Sequence, residues 1–190
     1  MRPLSGFPSG HREIEIKIAI TNVTAMKRKL RTAGFSLVRR RIHEWNQLYD
    51  FPDARLRRTG DALRLRRAGN VASVTYKGKR RLTLGMKDRE EIETTVSDAG
   101  AAAMVFERLG LRPTFAYEKY RTTYGRGKLA VVVDETPIGD FVEIEGDPAR
   151  ILRAARRLGY SDSDFITESY VELYRKRHRG DMVFKKELIR

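Results

Sequence analysis

Three stretches of this chain alternate acid with isoleucine: Glu13-Ile14-Glu15-Ile16-Lys17-Ile18, Glu91-Ile92-Glu93 and Glu143-Ile144-Glu145. A period of two is the signature of a strand with one apolar and one charged face. Helical chemistry follows each of them. Asn22 is a candidate N-cap before Val23, Met26 and Leu30, with Gly34 past the end; Ser97 precedes Ala101, Met104, Val105 and Leu109, which end at Gly110. Asp147 and Pro148 open a third segment that carries Ile151, Leu152, Ala155 and Leu158 on one face and stops at Gly159. Caps at the start, glycine at the stop and a 3.6-residue apolar period predict three helices. The strand–helix–glycine unit recurs at unequal spacing, so it is a weak repeat and not a solenoid.

Further alternating runs fill the gaps. Arg64 and Arg66 share one face, as do Lys77 and Lys79, then Lys87, Arg89, Glu91 and Glu93, then Lys119, Arg121 and Thr123; Val131 to Val133 lead to Asp134. The stretch from Asp50 to Asp61 reads as a hairpin loop. Roughly eight strands and three main helices result, an α+β chain with strands predominating. Like charges are held together on these faces as E-x-E, R-x-R and K-x-R pairs, although directly opposed like charges weaken a sheet. Helices can cover the apolar faces, which leaves the charged faces for water or for a lumen. Closing about eight antiparallel strands into a barrel creates that lumen, with room for one small ligand. The predicted architecture is therefore a closed eight-stranded antiparallel β-barrel with helices packed outside.

Composition narrows the occupant. The 190 residues, 41% of them hydrophobic, suit one domain: a single unit over 1–190, with a core of about 12–175 and a basic extension at 176–190. With no cysteine, disulfides, thiolate metal sites and cysteine nucleophiles are all excluded, and the expected compartment is the cytoplasm. No apolar run reaches the ~20 residues of a membrane span, and Met1 to Gly10 lacks the apolar region of a signal peptide. The formal net charge of +14 points to an anionic partner. Clustered carboxylates are the oxygen donors that Mg²⁺ or Mn²⁺ takes, usually beside substrate phosphates, while arginine supplies planar forks and lysine point charges for phosphate oxygens. Acids and bases in one tube describe a metal–polyphosphate site.

The residues that carry this reading also carry a resemblance. Glu13-x-Glu15-x-Lys17, Arg64-x-Arg66, Tyr76-Lys77-Gly78, Lys87-x-Arg89-Glu90-Glu91-x-Glu93, Lys119-x-Arg121, Asp134 and Glu143-x-Glu145, in that order, resemble the CYTH superfamily of triphosphate tunnel metalloenzymes. Glu44-x-Asn46, Tyr49-Asp50 and Ser169-Tyr170-x-x-Leu173 make the class IV adenylyl cyclase-like branch the most similar. The resemblance implies Glu13, Glu15, Asp134, Glu143 and Glu145 around one or two divalent cations. It implies Lys17, Arg64, Arg66, Lys77, Lys87, Arg89, Lys119 and Arg121 on the triphosphate, with Glu13, Glu15 and Lys17 as the catalytic candidates. Glu91 and Glu93 match a middle acidic pair that could balance the cations. The basic runs Lys79-Arg80-Arg81 and Arg175 to Arg179 exceed what the barrel needs and read as outer surface.

Three functions follow. The first is a cyclase that converts ATP to cyclic AMP and pyrophosphate; the second is an inorganic or thiamine triphosphatase; the third is a non-catalytic polyphosphate or nucleic-acid binder. Nucleic acid is disfavoured, because clustered carboxylates repel phosphate unless a metal intervenes. The implied partner is a small triphosphate, with no membrane, and a homodimer is compatible with the sequence. His11, His43 and His178 lack metal-ligand spacing, and Gly125-Arg126-Gly127-Lys128 lacks the context of a P-loop.

Overall fold

The computed structural model describes residues 11–185; the leader reading of Met1 to Gly10 and the last five residues of the basic extension lie outside them. The chain runs β1 (His11–Ile20), α1 (Val23–Thr32), β2 (Ser36–Asp50), α2 (Arg55–Thr59), β3 (Ala62–Ala68), β4 (Val71–Lys77), β5 (Arg81–Thr83) and β6 (Met86–Val96). It continues through α3 (Ala99–Arg108), β7 (Arg112–Arg126), β8 (Leu129–Thr136), β9 (Gly139–Glu145), α4 (Pro148–Arg157), a 3₁₀ turn (Asp162–Asp164) and α5 (Tyr170–Arg175). Eight strands pair in the order β1-β9-β8-β7-β2-β3-β4-β6, and β6 returns to β1, so the sheet closes. Every pairing is antiparallel. This is the predicted barrel with one addition, the short β5 on the margin of β6.

The isoleucines of the first and third alternating runs point outward into the core, whereas Ile92 of the middle run is exposed. Ile16, Ile18 and Ile144 are buried in one cluster with Met26 and Leu30 of α1, Ile151 and Ala155 of α4, and Leu158 just past its end. Each fully buried side chain of this size contributes roughly 1.5–3 kcal/mol of transfer free energy. Asn22 caps α1 by accepting from the Ala25 amide, and Asp147 caps α4 by accepting from Arg150, as their sequence positions predict.

The middle helix departs from expectation. Its cap is Asp98, whose carboxylate accepts from Gly100 and Ala101, not Ser97. Its Met104, Val105 and Leu109 face solvent, and the helix packs through Ala99, Ala102, Ala103 and Phe106. Both sides of α3 are apolar, and small alanines let one side approach the barrel closely while Phe106 meets Tyr49 edge-on at 5.1 Å. The segment read as a hairpin loop contains α2, whose first turn is capped from a distance: Asp50 accepts from the amides of Leu56 and Arg57.

The chain past residue 175 folds back. Met182 is fully buried, its amide donates to Ala116 and its carbonyl accepts from Glu118, so this segment borders β7 where β8 does not reach. No helix among the described residues is long and apolar enough to cross a membrane.

Candidate active site

Closure places the charged faces inside. The barrel encloses a cavity of about 1290 Å³ lined by Glu13, Glu15, Lys17, Arg64, Arg66, Lys77, Lys87, Arg89, Glu91, Glu93, Lys119, Arg121, Glu143 and Glu145. Asp134 lies just beneath this surface, fully buried. The register explains the convergence: Glu15 pairs with Lys87 on one side and Glu145 on the other, Lys17 with Glu143, Lys77 with Glu91, and Arg121 with Asp134. Directly paired residues share a face, so one strand's inward parity sets its neighbour's.

The interior is not uniformly mixed. Glu13, Glu15, Glu91 and Glu145 gather on β1, β6 and β9, whereas Arg64, Arg66, Lys119 and Arg121 gather on β3 and β7 around β2. In the closed order β2 stands four strands from β1 by either route, so these are facing walls.

The acidic wall is short of positive charge. Lys77 reaches Glu13 at 2.8 Å and also pairs with Glu91, and Lys87 pairs with Glu15. Glu145 has no ion pair among the described residues. Burial, followed by the charges of Glu13 and Glu15, pushes its carboxyl up to about 8. Glu91 behaves oppositely: burial would raise it, but Lys77 and Arg64 outweigh burial and bring it down to about 2.

The cations of the basic wall share their carboxylates: Arg64 pairs with Glu93 at 3.3 Å and Glu91 at 3.8 Å, Arg66 and Lys119 share Glu44, and Lys119 and Arg121 share Asp134. Glu44, buried between Arg66 and Lys119 at 3.7 Å from each, is held well below the carboxylate range despite its burial. Even a phenol responds: burial alone would raise Tyr117, yet Arg64, Lys119 and Arg66 draw it below its ordinary value. Two buried donors on this wall, Asn46 Nδ2 and Arg64 Nε, have no hydrogen-bond acceptor. Buried unsatisfied donors are costly, and acceptor-rich phosphate oxygens are the groups that would satisfy them.

Several candidates face the tunnel but are already committed. Asp134 accepts from Lys119 Nζ at 2.9 Å, from Arg121 at 2.6 and 2.7 Å, and from the Tyr170 hydroxyl at 2.9 Å. Lys17 donates to the Glu168 carbonyl at 2.7 Å, sits 3.5 Å from Glu143 and lies over the Tyr170 ring. Arg89 donates to the carbonyls of Gly78, Lys77 and Gly60. Glu143 takes Arg121 at 2.7 Å and stays well below the carboxylate range in spite of burial.

Two expectations about outer residues need correction. Lys79 lies beyond the end of β4 and is exposed, not on its inward face. Arg80 and Arg175, both read as outer surface, line the cavity, and Arg80 holds the Thr167 carbonyl at 2.8 Å and Glu172 at 3.1 Å. Glu44 and Asn46 entered the sequence reading only as marks of resemblance, and Tyr117 and Thr75 not at all. Inward parity on β7 and β4 was the available signal for Tyr117 and Thr75; on β2 the register shifts before Ile42 left Glu44 and Asn46 without one.

The donor set fits a divalent cation in kind, being carboxylates only, and Glu145 marks where positive charge is lacking. As the side chains lie, no three carboxylate or imidazole groups among the described residues stand close enough to share one ion. Lys77 and Lys87 hold Glu13 and Glu15 instead.

Comparison with known proteins agrees with this geometry. The family model described as the CYTH domain matches residues 11–170. A Methanocaldococcus jannaschii protein named "putative adenylate cyclase" is 27% identical over 172 residues, covering 85% of this chain and 97% of that protein. A Vibrio parahaemolyticus protein of the same description superimposes with a TM-score of 0.78 at 22% identity, over 87% of this chain and 99% of that one. A Hippeastrum protein described as a "putative adenylyl cyclase" with a dominant triphosphatase activity shares the fold at a TM-score of 0.65 and 18% identity, over 86% and 95% of the two chains.

Proposed function

The chain belongs to the CYTH family, and we propose that it is a divalent-cation-dependent enzyme, using Mg²⁺ or Mn²⁺, that converts ATP to cyclic AMP and pyrophosphate inside the tunnel. The observation that carries this reading is the pair of facing walls, one with an unpaired carboxylate at Glu145 and one with Arg64, Arg66 and Lys119 crowded around Tyr117. A metal with a triphosphate answers both at once.

A divalent cation held by Glu13, Glu15 and Glu145 would supply positive charge beside the reacting phosphate and ease loss of the attacking hydroxyl's proton. The chain's own residues do the rest. Arg64, Arg66, Lys119 and Arg121 hold the phosphates, and Lys77 and Lys87 join them when they leave their carboxylates. The ribose 3′-oxygen bonds to the α-phosphorus as the bond from that phosphorus to the bridging oxygen breaks. The hydroxyl proton passes to the acidic wall at Glu13 or Glu15, and the charge that develops on pyrophosphate stays on the arginines, already desolvated and aimed. Lys17, Arg89 and Asp134 act as positioning groups through the contacts they already make.

The choice of a nucleotide rests on the rim. Leu48, Phe51, Pro52, Leu56, Pro113 and Val171 line one end of the cavity, an apolar lip beside the basic wall that suits a nucleoside. Hydrolysis of inorganic or thiamine triphosphate would use the same walls without that lip. The test is purified protein with ATP, thiamine triphosphate or inorganic triphosphate and each cation, with products resolved. Cyclic AMP and pyrophosphate from ATP support the reading; phosphate release as the sole reaction replaces it with the triphosphatase, and inertness toward all three removes the enzyme.

A further inference from the structure

The inward positions of the barrel carry eight Lys or Arg (Lys17, Arg64, Arg66, Lys77, Lys87, Arg89, Lys119, Arg121) and eight acids (Glu13, Glu15, Glu44, Glu91, Glu93, Asp134, Glu143, Glu145), so the walls cancel in formal charge. The whole excess of +14 therefore lies elsewhere on the chain. Some of the outer cations are paired, five of them sharing three carboxylates: Arg12 meets Asp88 at 2.9 Å, Arg41 and Lys27 meet Glu135, and Arg55 and Arg58 meet Asp53.

Those of helix α4 are not. Arg150, Arg153, Arg156 and Arg157 are all exposed, on the side away from buried Ile151 and Ala155, and none makes an ion pair among the described residues. Like charges three and four residues apart destabilise a helix, and this helix contains no acid to offset them. The nearby Asp147 is engaged with the Arg150 amide as a cap. The β7–β8 hairpin adds Arg126, anchored by a 2.8 Å bond to the Ala33 carbonyl. The hairpin is pressed against the entry to α4, for a Cβ at Gly146, where φ is +150°, would come within 2.8 Å of Leu129 and 3.1 Å of the Lys128 carbonyl. Between them runs a groove of about 410 Å³ with Arg126, Arg150, Arg153 and Arg157 above Phe35 and Leu129.

We propose that this groove binds the phosphodiester backbone of nucleic acid without reading its bases. Guanidinium forks match phosphate oxygens in pairs. From Arg150 to Arg157 the helix rises ~10 Å, about three nucleotide steps along one strand of a duplex. Phe35 is buried as floor and offers no face for base stacking, so the contact is to backbone. The carboxylates that argue against nucleic acid line the tunnel and are absent here. The inference is independent of the tunnel's chemistry.

The experiment is anisotropy of a labelled duplex of ~20 base pairs in chelator, at about 50 and about 200 mM salt. Wild type should bind, with a log–log salt slope near −0.9 per phosphate contact. The triple variant Arg150→Gln, Arg153→Gln, Arg157→Gln should bind at least ~10-fold more weakly at low salt, with the slope shallower by about three contacts. It should keep its thermal transition, and Arg153→Glu alone should weaken binding in the same direction. The tunnel variant Arg66→Lys should bind duplex as wild type does. Equal affinity and slope in the triple variant, loss of binding in Arg66→Lys, or binding of inorganic polyphosphate but not duplex would each overturn the proposal.

Discussion

Glu15 on β1 lies directly opposite Glu145 on β9, two carboxylates on one face of an antiparallel pair inside the barrel. Opposed like charges weaken a sheet. The next inward pair along the same ladder is Lys17 with Glu143, of opposite sign. Lys87 pairs with Glu15, whereas Glu145 has no ion pair among the described residues and feels Lys77 only at longer range. The surrounding ladder holds this pair in place, and the cation proposed for the acidic wall would relieve it.

The first prediction concerns stability against pH without metal. The Glu145 carboxyl sits at about 8 in the folded protein, against an ordinary value near 4.3 in the unfolded chain. Between those values the folded state holds the extra proton, so stability falls as pH rises and levels off above about 8. The lowered groups Glu44, Glu91 and Glu143 act in the opposite sense, at pH below the ordinary carboxylate value. Urea denaturation in chelator from about pH 5 to about pH 8 should show declining stability in wild type and a flatter profile in Glu145→Gln. Parallel profiles would contradict the assignment.

The second prediction uses Tyr117 as a reporter of the basic wall. Its phenol is drawn down by Arg64, Lys119 and Arg66 against the effect of burial, so bound phosphates that neutralise those cations should raise it. Ultraviolet titration of wild type minus Tyr117→Phe should show the phenol ionising at higher pH when inorganic triphosphate is present.

The third prediction separates catalysis from charge balance. Arg66→Lys keeps a cation beside Glu44 but loses the fork that holds Asn46 Oδ1 at 3.1 Å. Turnover should fall by about 10²-fold, the scale of one preorganised donor, while KM changes much less. Steady-state kinetics decides it; a raised KM with kcat unchanged would make Arg66 a simple binding group.

The fourth concerns Asp134, which joins Lys119, Arg121 and Tyr170 in the floor of the basic wall. Asp134→Ala leaves Lys119 only Glu44 at 3.7 Å and Arg121 only Glu143 at 2.7 Å, removes the acceptor of the buried Tyr170 hydroxyl, and should cost about 3–5 kcal/mol of stability, measured by chemical denaturation.

The sequence revealed most of this barrel because Glu13-Ile14-Glu15 and its repeats combine both halves of the argument, isoleucines for the outer core and acids for the lumen. Where that coupling breaks, the reading broke with it. On β2 the run Arg39-Arg40-Arg41 interrupts alternation, and the pairing with β7 shifts register between Leu37 and Ile42, so the inward Glu44 and Asn46 carried no parity signal. On α3 apolar residues occupy two faces, and only packing chooses the alanine face over Met104 and Leu109. The commitments of Asp134 and Arg89 depend on neighbours distant in sequence, which no local pattern contains.

The most direct test of the two-wall account is the affinity for inorganic triphosphate with and without Mn²⁺ or Mg²⁺, by calorimetry on wild type and Glu145→Gln. If the acidic wall takes the cation and the basic wall the phosphates, each ligand should tighten the other reciprocally, with triphosphate binding at least ~10-fold tighter in wild type when the cation is present. Most of that gain should vanish in Glu145→Gln. Triphosphate affinity indifferent to the cation, or an equal gain in both proteins, would contradict the account.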